Sequence, residues 1–327
     1  MTVAEDPEPQ IEVRTYRKDG IVLIPKPSDD PKDPLNWAPK RKYATLFVLC
    51  FAAFAGAATP TAHQTGYVVI SYTYHKTPTQ LSYSISAAVA GLLAGPLILL
   101  PFARVIGRTS SIFWSLLGAI ATQIWAAKMT SPNDYISFVV SRLFGGMFGS
   151  VATILGSGYI MDIFFLHQRG KAFACYELSL LLGVIASPTI GGFIVNSKPW
   201  PDIFWWTLAP LGVAVILVFC FVEETGFARG KDKTPYPLVP VHFLANRART
   251  LFPGTSVVPK INMAALLKFA VLPLAIGVAP ATTLAGLYTL ITFAWSILIS
   301  TELTIFLETP VSEGGYGSRR SKTRPVS

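Results

Sequence analysis

Charge is scarce in this chain. Only 14% of its residues are Asp, Glu, Lys or Arg, against roughly 25% in a soluble domain. With 51% apolar residues and a mean hydropathy of +0.48, the composition excludes an ordinary water-soluble fold. Cysteine is scarce too. Cys50, Cys175 and Cys220 are an odd number and show no metal or disulfide spacing, so buried free thiols are expected. No HExxH, G-x-S-x-G or P-loop pattern occurs. The chain is therefore expected not to be an enzyme and to carry no cofactor or metal. Residues 1–40 are polar and hold no apolar h-region, so the first span is expected to act as its own insertion signal.

Long apolar runs are what the chain has instead. Seven are near the roughly 20 residues that cross a bilayer: about 43–62, 81–103, 110–128, 135–162, 172–195, 203–222 and 281–301. The net charge of +9 is not spread as in a nucleic-acid binder. Lys40, Arg41 and Lys42 precede the first run, Arg104 and Arg108 follow the second, Arg169 and Lys171 follow the fourth, and Arg229–Lys260 holds a cluster after the sixth. Lys76, Lys128 and Lys198 stand alone in the loops between. That alternation follows the positive-inside rule and predicts a cytoplasmic N-terminus. Arg319, Arg320, Lys322 and Arg324 break it, because a seventh crossing would put them outside.

The expected organisation is a disordered cytoplasmic tail over 1–42 and a six-span domain over 43–225. A cytoplasmic linker over 226–280 follows, with an interfacial helix near Leu266–Gly277. A seventh span covers 281–307, and a polar basic tail covers 308–327. His63 and Gln64 fall at the outer end of the first span, where surface positions are expected. Trp200, Trp205 and Trp206 fit an outer aromatic belt.

Two segments carry functional signals. In SRLFGGMFGS, Arg142 interrupts an apolar run, with Gly145, Gly146 and Gly149 on its helical face. Two readings stand: Arg142 faces the bundle interior as a coupling or substrate residue, or it snorkels to water from about two turns below the membrane surface. In Leu181–Phe193, Gly183, Ser187, Pro188, Gly191 and Gly192 interrupt another apolar run. Small residues one turn apart admit a close neighbour helix, and Pro needs its neighbours to repack around it. Asp162, Arg169 and Lys171 flank the cytoplasmic end of the fourth span and Glu177 starts the fifth; they read either as a latch between helices or as solvated turn charges.

These residues resemble the N-terminal half of a major facilitator superfamily transporter, in the fungal drug:proton antiporter branch. DPLNW (33–37) and DIFFLHQRGKA (162–172) look most like its polyamine, cation and multidrug subgroup. GVIASPTIGG (183–192) is similar to the antiporter motif G-x-x-x-G-P-x-x-G-G, with Ser187 replacing the second Gly. SRLFGGMFGS resembles the fourth-span motif whose Arg is assigned to proton coupling, a role that falls on Arg142. PWPDIFWW resembles W-R-x-x-F-W with Pro201 in place of Arg, and VEETGFAR resembles the motif that closes the first half. The resemblance implies an all-α integral membrane protein: a six-helix half plus about one helix of the second. It implies proton-coupled efflux of a secondary metabolite, drug or organic cation across the plasma membrane. Its partners are lipid, cargo and protons, not nucleic acid.

Two departures accompany it. The loop expected to read D-R-x-G-R-R is Arg104-Val105-Ile106-Gly107-Arg108-Thr109, so only Gly107 and Arg108 of the family latch are kept. The family has twelve spans and this chain has seven, after which SRRSKTRPVS reads as a tail foreign to the fold. With half a cavity, Gly183–Gly192 is expected to lack the second half it would move against. The alternative function is a non-transporting membrane protein or assembly partner, and a second copy is one way to complete the fold.

Overall fold

The computed structural model describes residues 17–18, 21–28, 33–225, 242–252, 271, 275–308, 311 and 315–316. The described residues are almost entirely helical; strand is limited to an antiparallel pair, Arg17–Lys18 with Ile21–Val22. The helices of the bundle are α1 (Pro39–Thr61), the short α2 (Tyr67–Tyr74), α3 (Pro78–Ile106), α4 (Arg108–Lys128), α5 (Tyr135–Ile163), α6 (Leu166–Ser197) and α7 (Asp202–Phe221). A short α8 (Phe243–Leu251) and a long α9 (Pro280–Glu308) follow. Six helical segments are long and apolar enough to cross a membrane, and the first runs from Pro39 through Tyr74 as α1 plus α2.

Local chemistry sets the ends. Pro39 and Pro78 sit in the first turns of α1 and α3, where a missing N–H costs nothing. Thr77 and Gln80 form a reciprocal capping box at the start of α3. Gly107 has φ 95°, a conformation glycine adopts without a Cβ penalty, and it turns α3 directly into α4.

The N-terminal expectation needs correcting at its inner end. Residues 33–42 are folded, not disordered. Asp33 is buried and accepts from the N–H of Leu35 and from Ser28, which shapes the Pro34–Asn36 turn. Lys42 then donates to the Leu35 carbonyl at 2.8 Å. Asp33 and Lys42 are thus satisfied by nearby groups of the same segment. Most of 1–32, most of 253–274 (including most of the Leu266–Gly277 helix) and nearly all of 308–327 lie outside the described residues.

Helix α5 lies at the centre of the bundle, against α1, α3 and α4; α1 also packs on α6 and α7, and α4 on α7. Two cores result. Leu49, Leu116, Tyr159 and Val218 anchor one toward the charged end of the bundle. Tyr67, Tyr74, Phe138, Trp200 and Phe204 form an aromatic one toward the other end. Trp200 therefore belongs to the interior, with Nε1 donating to Thr73 Oγ1 at 3.1 Å; Trp205 is the exposed tryptophan of the three. Among the thiols, Cys175 is exposed rather than buried, while Cys50 and Cys220 are half-buried. Helix α9, which holds the seventh predicted span, runs along α2 and the turn before it, and all its described side chains are exposed.

Candidate functional site

Arg142 sits two turns into α5 with 1% of its surface exposed. Snorkelling does not describe it. Its guanidinium carbon lies 4.6 Å from the centre of the Phe204 ring and 5.8 Å from that of Phe138. Nη1 donates to Gln123 Oε1 and Nη2 to the Thr122 carbonyl, each at 3.3 Å. Both acceptors are neutral, and no carboxylate among the described residues pairs with Arg142. Nε of Arg142 and Nε2 of Gln123 are buried without a protein partner. Burying a charge costs several kcal/mol. Two long hydrogen bonds and a cation–π contact of up to about 2 kcal/mol offset only part of that. Such a group persists for function more readily than for stability.

His63 belongs to the same cage. The chain breaks helix between α1 and α2, and the break turns His63 and Gln64 inward, contrary to the surface positions expected. His63 Nε2 meets Ser84 Oγ at 2.9 Å. Its ring rests against Tyr67, Phe138 and Phe204.

The glycines of α5 serve three different neighbours. A Cβ on Gly149 would lie 2.8 Å from the Gly56 carbonyl oxygen of α1, one on Gly146 would strike the Ala88 carbonyl of α3, and one on Gly145 would lie 3.4 Å from Thr122 Oγ1 of α4. The small face of Gly183–Gly192 packs on α1 within the same bundle. Gly183 faces the Phe54 carbonyl, Ser187 Oγ donates to the Ala58 carbonyl at 2.8 Å, and Gly191 faces the Ala62 carbonyl. Three small residues four apart on α6 thus meet three carbonyls four apart on α1. Thr65 Oγ1 donates to the Pro188 carbonyl at 2.8 Å and packs beside Gly192.

The charged end holds a connected network. Arg108 Nη1 donates to Asp162 Oδ2 at 2.6 Å, and Thr225 Oγ1 to the same oxygen at 3.0 Å. Glu224 accepts from the N–H groups of Arg108 and Thr109 at 3.2 and 3.1 Å. It caps the first turn of α4 from the chain after α7, where Gly107 has no side chain to do so. Burial pushes the Glu224 carboxyl up, against the pull of those two N–H donors. Arg169 caps the end of α5 through the Phe164 and Met161 carbonyls. Glu177 is exposed on α6 and joins none of these bonds.

Sequence reasoning missed Gln123, His63, Glu224 and Arg247. Arg247 of α8 donates to the Val222 and Cys220 carbonyls at 2.6 and 2.7 Å and lies 3.8 Å from Glu223, which also pairs with Arg41 at 2.5 Å. The Leu251 carbonyl accepts from Ser110 Oγ and Trp114 Nε1 of α4. Helix α8 is thereby strapped across the ends of α4 and α7.

The sequence profile of the Major Facilitator Superfamily matches residues 43–312. The MFS transporter cpaT of Aspergillus oryzae is 30% identical over 205 residues, which are 60% of this chain and 39% of the relative. The efflux pump radE of Floropilus chiversii is 31% identical over 198 residues, 60% of this chain and 36% of the relative. The multidrug transporter TPO1_1 of Candida glabrata is 29% identical over 194 residues, 58% and 34%. The alignments thus span well under half the length of these relatives. In fold, the chain is similar to the proton:xylose symporter XylE bound to 6-bromo-6-deoxy-D-glucose, with a TM-score of 0.53 at 15% identity over 58% of this chain and 46% of that one. With its six membrane-length helices and a profile match across most of its length, this chain is an integral, multi-pass membrane protein and belongs to the Major Facilitator Superfamily.

Proposed function

We propose that this chain works as the N-terminal half of a proton-coupled exporter of small organic molecules: drugs, secondary metabolites or organic cations. The observation that carries the reading is the enclosed Arg142. Its charge is held between α4, α5 and α7 without a counter-charge among the described residues. Any movement of α5 against α4 or α7 changes the solvation of that charge, so helix position and proton occupancy nearby become linked. The cage is too tight for a bulky cargo to touch Arg142 as it stands. Coupling therefore suits the residue better than cargo binding.

The α1–α6 ladder is the element that moves. Its contacts are between small residues and backbone carbonyls, so no interlocked side chains oppose a shift along the helix. The Arg108–Asp162–Glu224 network is the latch that keeps the charged end closed, and that end faces the cytoplasm of a cell whose plasma membrane holds the protein. Only 22% of the apolar stretch is buried in α3 and in α6, against 67% in the first crossing. These faces meet lipid or a second bundle, supplied by further chain or by another copy. Efflux-pump and multidrug relatives support the direction and the cargo class.

The test uses inside-out vesicles containing the protein and a panel of fluorescent organic cations and neutral drugs. Uptake driven by an acid interior and abolished by a protonophore is expected. No movement of any cargo by correctly inserted protein contradicts the proposal.

A further inference from the structure

We infer that His63 is the proton-accepting residue that works against Arg142. The inference rests on the export reading above for its role in transport, but not for its chemistry. The described acids lie at the ends of the bundle or on its surface: Asp134 and Asp202 by the aromatic end, Asp33, Asp162, Glu223 and Glu224 by the charged end, Glu177 on the outside of α6, and Glu302 and Glu308 in the last two turns of α9. None reaches Arg142. A proton bound beside that residue needs another acceptor.

His63 has the placement. It is fully buried, and its Nδ1 has no protein partner while Nε2 is held by Ser84. It shares two aromatic walls with Arg142: Phe138 and Phe204 contact both groups. The other elements packed around the pair contribute Ser84 from α3, Gln123 from α4, and Tyr67 and Tyr74 from α2. Among those neighbours, only Arg142 is charged at neutral pH. Imidazole is the side chain whose ordinary range spans pH 5 to 8.

The consequence is a two-state device. With His63 neutral, the cage holds one cation. A proton on Nδ1 or Nε2 makes two like charges between the same rings, in a setting that screens them poorly. The arrangement relaxes when α5 moves Arg142 away or when α1–α2 exposes His63. The bare Nε of Arg142 and Nε2 of Gln123 leave room to rewire the hydrogen bonds on the way. The break between α1 and α2 supplies a hinge next to His63 itself.

The test has two arms. In the first, protein labelled with 15N-histidine in nanodiscs is titrated by NMR as wild type and as Arg142→Gln. His63→Asn assigns its signal among the four histidines. Removing the guanidinium is expected to displace the pH midpoint of the His63 signal, because the neighbouring charge is gone. An unchanged midpoint overturns the inference. The second arm needs no change at Arg142: His63→Asn is expected to lose pH-gradient-driven transport while retaining cargo counterflow. Gradient-driven transport by His63→Asn at the wild-type rate overturns the inference and leaves the export reading standing. If no variant and no wild type transports, the export reading fails and the first arm still decides His63.

Discussion

Ser187 donates its hydroxyl to the Ala58 carbonyl 2.8 Å away, across the α1–α6 interface. That bond is the middle rung of a ladder whose outer rungs are glycines against carbonyls, so the helices approach as closely as their backbones allow. Enlarging a rung should cost far more than deleting the bond. Gly183→Leu is expected to destabilise by about 1–3 kcal/mol through overpacking, and Ser187→Ala by about 0.6 kcal/mol, the average for interhelical bonds in membranes. Thermal unfolding midpoints in detergent check both. Equal shifts for the two variants would mean that close approach is not what the motif provides.

Glu224 gives the charged end a pH signature. Its folded carboxyl is raised above 4.5 by burial. In the window between 4.5 and the raised value, the folded protein binds more protons than the unfolded chain. Its contribution to stability is thus fullest below 4.5 and is lost as pH rises through the folded value. The stability of wild type relative to Glu224→Gln should fall as pH is raised through that window. Urea or guanidinium unfolding at a series of pH values measures it, and a rising difference contradicts the burial.

The Arg108–Asp162 pair is a different case. Its side chains are 24% and 23% exposed, so water screens it and a coupling energy of about 0.5–1 kcal/mol is expected. A double-mutant cycle with Arg108→Gln and Asp162→Asn reads that energy. The same variants should raise the labelling rate of a cysteine placed at the charged end, because the pair joins α4 to α5 there.

Arg247 fastens α8. Two charge-assisted bonds to the end of α7 are worth about 1.5–3 kcal/mol each, although each also satisfies a carbonyl that water would otherwise take. Arg247→Ala is expected to free α8 and so to speed proteolysis between residues 226 and 260, with the transmembrane fragments unchanged. Unaltered cleavage would show that Trp114 and Ser110 hold α8 without it.

Six of the seven expected crossings and the glycine spacing were legible in the sequence, because each depends on composition or on the 3.6-residue period. The partners of those residues were not. Gly183, Ser187 and Gly191 announce a close neighbour, but nothing local says that the neighbour is α1. His63 looked like a surface residue because hydropathy drops across Ala62–Gly66; the structure uses that drop as a helix break inside the first crossing. Glu224 was visible within VEETGFAR, but nothing local gives it a partner. Only the Gly107 turn brings the start of α4 within its reach. Nothing local in the linker says that Arg247 anchors α8 to the end of α7.

The most direct measurement bears on Arg142. Proteoliposomes holding wild type or Arg142→Gln are assayed twice: for transport driven by a pH gradient, and for cargo counterflow with no gradient. Loss of gradient-driven transport by about tenfold or more, equivalent to ~1.4 kcal/mol, with counterflow retained, is the expected result. Gradient-driven transport that survives the substitution, or counterflow that falls in step with it, contradicts a coupling role for the buried arginine.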